Sequence, residues 1–480
     1  MSDHDPRPAL RRTTSPAAIT AVLAFAGMGA SFLQTVVIPI QGDLPRLVHA
    51  PASDTAWVLT ITLLVSSVCT PISGRLGDML GKRRVALAVC GVLVFGSIVC
   101  ASSQSVLPLI IGRALHGMGL AVIPLGISIL RDVIPPNRLG TSIAIVSATL
   151  GVGMAVGLPI GAVITYAVDW HLLFWIAAVV SASAFVLIVT VVPPSTLRSA
   201  GRFDAVGAVG LAIGLVPILV AISRSVEWGW SSPVTTGLLV FGASALVLWA
   251  WHELRTTSPL VDLRVTARPT VLLTDAASLT MGISLFASQV ALPQLLELPA
   301  TTGVGSGLGL LAASLVLMPS GVAMMAMSPI AGRLERSIGP RALLVAGAAI
   351  IAAAYLASLL IPLTVAAVLF VNVAFGVGIG LGYAAMPTII MRSVPWDETA
   401  AANGVNTVMR ALGNSIAAAA VGSILAAGGG AGAATPSAAD FHAALLFGFI
   451  ASVVCLGVSI AVPRATTRPG ERPALALDTE

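Results

Sequence analysis

Four ionisable side chains lie inside long apolar runs of this sequence: Arg113, His116, Asp275 and Arg410. A charge at the centre of a bilayer costs roughly 2.5–3.5 kcal/mol on insertion scales, so such residues are rare and mostly face a protein interior. An arginine can bind an anion, whereas a histidine or a carboxyl can carry a proton. With Gln34, which lies at about the depth of Arg113, these residues are our candidates for a substrate or proton pathway.

Each candidate also has a simpler explanation. We expect the Gln34 amide to accept a hydrogen bond from Arg113, but backbone carbonyls would satisfy the guanidinium equally well. His116 would then be a neutral, hydrogen-bonded group. Asp275 stands about five residues into the ninth run, so it could be an acid at a helix start that reaches the headgroups. Arg410, near the middle of the thirteenth run, has no evident acidic partner in the sequence.

A charged, glycine-rich segment, residues 74–84, separates the second and third apolar runs. Its glycines allow a tight turn between two helices. Three consecutive cations begin at Lys82, and cations favour the cytoplasmic side of a membrane. Asp78 in the same segment is one of few acids near any predicted membrane boundary. The pattern predicts a short cytoplasmic loop.

The fifth apolar run carries Gly153, Gly157 and Gly161 at four-residue spacing, with Pro159 between the last two. Small residues that share a helix face allow another helix to approach closely. Proline frees a carbonyl and bends a helix. We predict a hinge here, although a plain packing seam explains the glycines nearly as well.

The composition excludes a soluble domain. Of 480 residues, 57% are hydrophobic and only 9% are charged, against about 25% charged residues in soluble proteins. The cations form no cluster on one face, so we expect no nucleic-acid partner. Cys69, Cys90, Cys100 and Cys455 lie in apolar runs without C-x-x-C spacing, and the six histidines are scattered. We therefore expect no metal site and no disulfide framework.

About 20 apolar residues cross a bilayer as a helix, and helices satisfy all their backbone groups in lipid. Fourteen runs qualify, at residues 18–40, 54–73, 85–103, 106–130, 139–166, 170–192, 205–223, 234–252, 270–294, 306–331, 342–361, 363–391, 399–427 and 441–462. Of the 25 basic residues, only Arg46 and Arg224 fall on the other side from the termini, and only Arg113 and Arg410 fall within spans. This bias predicts that both termini are cytoplasmic.

The chain also repeats itself. Residues 71–76 recur as residues 329–334, and Arg83 recurs as Arg341. When the two copies are aligned, Arg336 stands at the position of Asp78, so only the first copy keeps the acid. The repeat predicts two six-helix halves. We divide the chain into a tail (1–16), a first bundle (17–192), two extra helices with a linker (193–269), a second bundle (270–463) and a second tail (464–480), both tails disordered.

The segment at residues 74–84 resembles the loop signature of the major facilitator superfamily. The stretch from Arg113 to Gly117 resembles the R-x-x-x-G signature of that family, and residues 151–161 resemble its antiporter signature with the proline one place late. The extra helix pair points to the fourteen-helix branch, largely drug:proton antiporters. The resemblance implies an all-α membrane protein with the major facilitator fold, two pseudo-symmetric six-helix bundles and two inserted linker helices. It also implies a gating loop formed by Gly74, Asp78, Gly81, Lys82 and Arg83.

The function that this resemblance implies is secondary active efflux, not enzyme catalysis. A monomer in the plasma membrane would export amphipathic drugs or antibiotics in exchange for protons, with no cofactor besides the proton gradient and with membrane lipid and a small-molecule substrate as its partners. Many relatives carry an acid where this chain has Gln34, so the usual ion partner of Arg113 is missing. One alternative is therefore an exporter of an anionic metabolite with weak or no proton coupling. A membrane-embedded enzyme is a remote alternative.

Overall fold

The computed structural model describes residues 15–37, 40, 44–55, 57–167, 169–194, 202–300, 304–395, 398–427 and 436–463. The two predicted tails fall outside these residues, except for Ser15 and Pro16 at the start of the first helix.

Long helices make up almost all of this part of the chain, and it contains no strand. They are α1 (Pro16–Thr35), α2 (Trp57–Leu80), α3 (Lys82–Ala101), α4 (Val106–Val133, in two pieces, Val106–Gly119 and Val122–Val133), α5 (Pro136–Ala167), α6 (His171–Val191), α7 (Ala205–Trp228), α8 (Pro233–Arg255), α9 (Pro269–Glu297), α10 (Leu310–Ile338), α11 (Pro340–Leu360), α12 (Val365–Ser393), α13 (Thr399–Ala427) and α14 (Ala438–Ala461). Short helices cover Leu44–Leu47, Ala52–Thr55 and Leu263–Thr266.

Thirteen of these helices are long and apolar enough to cross a membrane, counted over the described residues. The 32-residue helix α5, whose side chains are described only in part, is outside that count and takes the place of the fifth predicted span. The helix starts follow the sequence. The side chains of Ser15, Thr364 and Ser437 accept hydrogen bonds from first-turn N–H groups, which have no acceptor within the helix.

The two halves pack in the same way. In the first half α1 lies against α5 and α6, α4 lies against α2 and α3, and α3 lies against α6. In the second half α9 lies against α13 and α14, α12 lies against α10 and α11, and α11 lies against α14. Each helix of the first half thus corresponds to the helix numbered eight higher, α1 to α9 and so on to α6 and α14. Each half has its own apolar core. The predicted pair of pseudo-symmetric six-helix bundles is confirmed.

The halves meet along two seams, α5 against α10 and α2 against α13. The inserted helix α7 packs against both α2 and α13, and α8 packs against α7. Leu211, Leu215 and Leu219 of α7 share an apolar cluster with Leu64 of α2 and Val408 of α13. The inserted pair therefore covers one of the two seams between the halves.

Glycines set the closest helix approaches inside a half. A Cβ atom at Gly347 of α11 would lie 2.5 Å from the carbonyl oxygen of Gly378 in α12, and one at Gly378 would lie 2.7 Å from that of Gly347. The two backbones are therefore in direct contact. Gly91 of α3, by contrast, has no atom within 4 Å of its missing Cβ position.

We expect Gly347→Leu to destabilise the second half, because the new side chain would meet backbone that has no room to move. Overpacking of this kind costs about 1–3 kcal/mol. Gly91→Leu adds the same side chain to open space and should leave stability unchanged. The measurement is the midpoint of thermal unfolding of both purified variants in detergent, and equal midpoints for the two would contradict the packing described above.

Candidate functional site

The predicted loop at residues 74–84 is almost wholly helical, which corrects its boundaries. Helix α2 continues to Leu80 and α3 begins at Lys82, so Gly81 alone makes the turn, with φ 104°. The apolar pattern ended at the charges, but Arg75 and Asp78 are buried against other helices and do not need to leave α2. We call the end of the molecule that carries this turn the loop end, and the opposite end the far end.

Asp78 joins the two halves at the loop end. Its side chain is 1% exposed, and its Oδ2 atom accepts hydrogen bonds from the N–H groups of Ala400 (3.2 Å) and Ala401 (3.1 Å). These N–H groups belong to the first turn of α13, where helical N–H groups have no acceptor of their own. The positive end of the helix also favours a carboxylate. A side chain of the first half thus holds the start of a helix of the second.

Lys82 lies beneath Asp78 and is itself 1% exposed. Its Nζ atom lies 2.9 Å from Oδ1 of Asp132 and 3.8 Å from Oδ1 of Asp78. One ammonium group therefore offsets two buried carboxylates. The lysine is thus in the protein interior, and the cytoplasmic position of this turn stays a prediction. Arg83 is anchored to the end of α6 and donates to the carbonyl oxygen of Val189 at 2.6 Å.

Arg131 at the end of α4 adds a second link across the same seam. Its guanidinium donates to the hydroxyl of Thr399 and to the carbonyl oxygens of Val394 (3.3 Å) and Pro395 (3.4 Å). The backbones are also close, since a Cβ at Gly74 would lie 2.6 Å from the carbonyl oxygen of Ala400. At the loop end, α2 and α13 are thus held together by charge, hydrogen bonds and glycine contact.

The other seam, α5 against α10, has its own buried acid. Glu335 is 5% exposed, and its Oε1 atom lies 3.0 Å from Nη2 of Arg392. A Cβ at Gly140 of α5 would lie 2.6 Å from Oε2 of Glu335, so the carboxylate touches the first half. Arg336 donates to the carbonyl oxygen of Asn137 at 2.9 Å.

Sequence reasoning missed Glu335. It compared Asp78 with the residue in register, Arg336, and concluded that the second half lacks the acid. The acid stands one position earlier and lies against Gly140 of α5, but it accepts its hydrogen bonds from Thr388 and Arg392 of its own half. A search for any acid within one residue of the repeat register would have found it.

Asp275 is buried between α9 and α13, with 3% exposed. Asn406 donates from Nδ2 to its Oδ1 atom at 2.9 Å, while its Oδ2 atom has no hydrogen-bond partner. No cation lies within ion-pairing distance among the described residues. The alternative that Asp275 reaches the headgroups is wrong, because the side chain is enclosed and bonded to a neighbouring helix.

Arg410 stands one turn further along α13, beside the central cleft. Its guanidinium carbon lies 4.6 Å from the ring centre of Tyr383, and Nη2 lies 3.4 Å from the hydroxyl of Thr407. The hydroxyl of Tyr383 has no partner. The cleft is lined by both halves, through Ile123, Pro124, Ile127, Ser147 and Leu150 of the first and Pro387, Asn403, Asn406, Thr407 and Arg410 of the second. A cation therefore faces the narrow space between the halves.

Arg113 and His116 lie inside the first half instead. Arg113, 1% exposed, donates to the carbonyl oxygens of Leu33 (2.6 Å) and Val58 (3.1 Å). No described hydrogen bond joins it to Gln34, so the expected pairing is wrong. Carbonyls in the last turn of a helix lack an intrahelical donor, and Leu33 stands in the last turn of α1.

The hydrogen bonds of His116 define its tautomer. Its Nδ1 atom lies 3.5 Å from Nη1 of Arg113, and its Nε2 atom lies 3.0 Å from Oγ of Ser97. A guanidinium can only donate, so Nδ1 is the acceptor and Nε2 carries the hydrogen toward Ser97. His116 is therefore neutral in this arrangement, and it orients Arg113 toward the start of α2.

The glycines of α5 pack against α1. A Cβ at Gly153 would lie 2.6 Å from the carbonyl oxygen of Met28, and one at Gly157 would meet the hydroxyl of Thr35. Gly161 is buried, and Pro159 lies within α5, which continues as one helix to Ala167. These contacts favour the packing seam as the reason for Gly153 and Gly157, and the hinge stays a prediction.

No group of three or more His, Cys, Asp or Glu side chains in the described residues is arranged to hold a metal ion. The polar groups described above are two buried acids at the seams, one enclosed carboxyl and one arginine at the cleft.

The comparisons with known proteins agree with this architecture. The family model of the Major Facilitator Superfamily matches residues 20–418. The chain belongs to the major facilitator superfamily, and it is a multi-pass membrane transporter, not an enzyme. The solved structure of the human organic anion transporter MFSD10 (TETRAN) superposes with a TM-score of 0.62 over 95% of this chain and all of that chain, at 14% identity. That likeness supports the fold.

Curated relatives share about a quarter of their residues with this chain. An uncharacterized MFS-type transporter of Mycobacterium tuberculosis is 28% identical over 85% of this chain, which spans 59% of that relative's length. The lincomycin resistance protein LmrB of Listeria monocytogenes is 25% identical over 84% of this chain and 86% of its own. The multidrug resistance protein Stp of Mycobacterium tuberculosis is 24% identical over 85% of this chain and 76% of its own.

We expect Asp78→Asn to weaken closure at the loop end, because it removes a charged acceptor that bonds across the α2–α13 seam. A carboxylate at a helix N-terminus contributes up to about 2 kcal/mol, so the ratio of closed to open molecules should fall roughly tenfold. Glu335→Gln should weaken the α5–α10 seam less, because Glu335 touches Gly140 of the first half but bonds to Thr388 and Arg392 of its own half. Spin labels at positions 80 and 395 report on the α2–α13 seam, and labels at 138 and 338 report on the α5–α10 seam. Electron–electron distance measurements give the populations.

Glu227→Gln is the matched control, because Glu227 pairs with Arg224 on its own helix at the far end and is half exposed. Its distance distributions should equal those of the parent. Cys69 is replaced by serine throughout, since it is the half-buried cysteine while Cys90, Cys100 and Cys455 are buried. If both seams keep the parent distances in Asp78→Asn and Glu335→Gln, these carboxylates do not hold the loop end closed.

Proposed function

We propose that this transporter exports amphipathic drugs or antibiotics across the plasma membrane by alternating access, in exchange for protons. The observation that carries the proposal is the set of contacts made by one helix, α13. Its first turn is held by Asp78, its Asn406 bonds to the enclosed Asp275, and its Arg410 faces the cleft. All three contacts involve α13, so a movement of this helix would alter all of them. The relatives named for lincomycin resistance and multidrug resistance support the substrate class.

The orientation in the membrane that we propose follows from the distribution of cations. Most arginines outside the membrane spans lie in segments at the loop end, which favours a cytoplasmic loop end. In that orientation the conformation described above is closed to the cytoplasm, since Asp78 bonds across one seam there and Arg336 bonds across the other. One chain supplies both walls of the cleft, so the transporting unit we propose is a monomer with cytoplasmic termini.

Asp275 is our candidate for the proton carrier. A buried carboxylate without a cation costs far more free energy than a buried neutral acid. Here one oxygen has a single amide donor and the other has none, so this conformation suits the protonated form. Release of that proton to the cytoplasm becomes possible once the loop end has opened and water reaches Asp275. The carboxylate left behind would oppose return to the closed state, in which it would be an unpaired charge between α9 and α13.

Arg113 and His116 have a supporting role in this proposal. Both lie inside the first half: Arg113 bonds to backbone at the end of α1 and the start of α2, and His116 bonds to Arg113 and to Ser97 of α3. They fix the position of α2, whose opposite end carries Asp78. Gln34, half-buried near the end of α1, stays a candidate for substrate contact only.

A second candidate function is export of an anionic metabolite. It is favoured by Arg410, which has no carboxylate within ion-pairing distance in the part of the chain that the structure describes. Proteoliposomes loaded with a panel of cationic and acidic amphipaths separate the two functions. Transport of acids alone, without dependence on the pH gradient, would select the second candidate.

We expect Asp78→Ala to abolish efflux while membrane expression stays at the parent level. The substitution removes the acceptor for the N–H groups of α13 and leaves Lys82 with one carboxylate fewer. The measurement is accumulation of a fluorescent amphipathic dye, or resistance to lincomycin, in cells that express each variant. Glu227→Ala serves as control. Normal efflux from Asp78→Ala would remove the gate from the mechanism.

We expect Asp275→Asn to abolish substrate accumulation driven by a pH gradient while downhill exchange continues. Asparagine keeps the shape of the neutral acid and can bond to Asn406, but it cannot release a proton. The measurement compares gradient-driven uptake with exchange at equal pH in proteoliposomes. The control is Asp169→Asn, since Asp169 is exposed at the far end. Gradient-driven uptake that survives in Asp275→Asn places the coupling site elsewhere.

A further inference from the structure

A groove of about 590 Å³ opens at the loop end of the second half. It lies between the start of α11, the start of α9 and the ends of α12 and α14. One wall is apolar and includes Ile338 and Ile460, which are 50% and 53% exposed on the outer surface of a membrane protein. The other wall is polar and includes Arg341, Arg392 and Ser393. The groove is therefore amphipathic, with a charged inner wall and an apolar side open to lipid.

The charged wall carries an excess of positive charge. Arg392 is neutralised by Glu335 at 3.0 Å. Arg341 donates to the carbonyl oxygen of Ile460, and Arg268 donates to that of Ser393 at 2.7 Å. Neither has a carboxylate within ion-pairing distance among the described residues. One guanidinium group without a counter-ion among the described residues, that of Arg341, thus lines the groove. That of Arg268 lies at the edge of the groove, bonded to the lining residue Ser393.

The start of α11 adds further donors to the same wall. The helix begins at Pro340 after Gly339, which has φ 82° and no side chain to cap the first turn. Arg341 and Ala342 line the groove. Both residues are in the first turn of α11, where backbone N–H groups have no acceptor within the helix. A helix N-terminus beside arginines is a favourable place for a phosphate group.

The first half differs at the equivalent place. Arg83, the counterpart of Arg341, donates to the carbonyl oxygen of Val189 at the end of α6, as Arg341 does at the end of α14. The neighbouring Lys82 of the first half is buried against Asp78 and Asp132. The second half has proline at the position of Lys82, so the turn before α11 lacks that lysine.

We propose that this groove binds one anionic phospholipid of the surrounding leaflet. The phosphate lies against Arg341, Arg268 and the first turn of α11, and an acyl chain follows the apolar wall past Ile460. Basic pockets between transmembrane helices are known to suit anionic lipid headgroups. A soluble phosphate ester would satisfy the arginines but would leave the apolar wall uncovered, so the lipid is the occupant that matches both walls. The site is independent of the transported substrate.

The test is native mass spectrometry of the full chain, purified and exposed to equal amounts of phosphatidylglycerol and phosphatidylcholine with the same acyl chains. The parent should retain one phosphatidylglycerol in preference to phosphatidylcholine. Each cation near a membrane surface changes the affinity for anionic lipid roughly fivefold. Arg341→Gln should therefore reduce the preference about fivefold, and Arg268→Gln should do the same.

Two further variants separate charge from packing. Arg84→Gln removes an exposed arginine from the loop end of the first half and should leave the preference unchanged. Arg341→Lys keeps the charge and should retain most of it. Equal retention of the two lipids by the parent, or an equal loss in Arg84→Gln, would overturn the proposal. Displacement of the lipid by millimolar inorganic phosphate would identify a soluble anion as the occupant and would overturn it too.

Discussion

A buried carboxylate of one half that accepts the free N–H groups of a helix in the other half is the interaction on which the closed conformation depends. Asp78 makes this contact with the first turn of α13. The interaction is favourable only while the two halves are together, because separation returns both the carboxylate and the N–H groups to water, where neither needs the other. Such a contact stabilises the closed state and not the open one, so its loss shifts the equilibrium between the two. The ammonium group of Lys82 lies near both Asp78 and Asp132, so it offsets the charge of Asp78 only in part.

The second seam also has a buried acid, but its contacts differ. Glu335 touches Gly140 of α5 while it bonds to Thr388 and Arg392 of its own half, and the hydrogen bond across this seam is made by Arg336 to the carbonyl oxygen of Asn137. The two acids are related by the repeat in their positions but not in their residue types. This arrangement explains why a residue-by-residue comparison of the two copies found Asp78 matched by an arginine, although a carboxylate is present at both seams. Helix positions are inherited from the duplication, whereas the charge that serves a position can move along the chain by one residue.

The sequence predicted features that depend on local residue types, and it failed for contacts between residues that lie far apart along the chain. Hydropathy located the helices, because lipid imposes one requirement on every residue of a span. The repeat located the helix pairings, since both halves pack alike. Boundaries failed at Gly74 to Leu80, where charged residues stay helical against another bundle. The predicted partner of Arg113 was wrong because its acceptors are backbone carbonyls, which every residue type has. The partner of Asp275 was out of reach as well, since Asn406 lies 131 positions away.

The position of Asp275 constrains how its charge can act. A Cβ at Gly413 would overlap the carbonyl of Leu279, and one at Gly282 would lie 2.6 Å from that of Arg410, so α9 and α13 are in backbone contact beyond Asp275. Helices packed this closely cannot slide past each other without collision. A change of charge at Asp275 therefore cannot be relieved by a shift of α13 along α9. The pair must move together, and the surface on which it can move is the seam with α2. There the contact at the loop end is polar and depends on Asp78, whose hydrogen bonds can be replaced by water. In the transport mechanism that we propose, the tight packing within a half and the replaceable hydrogen bonds between the halves would together convert a local charge into a rotation of the whole bundle.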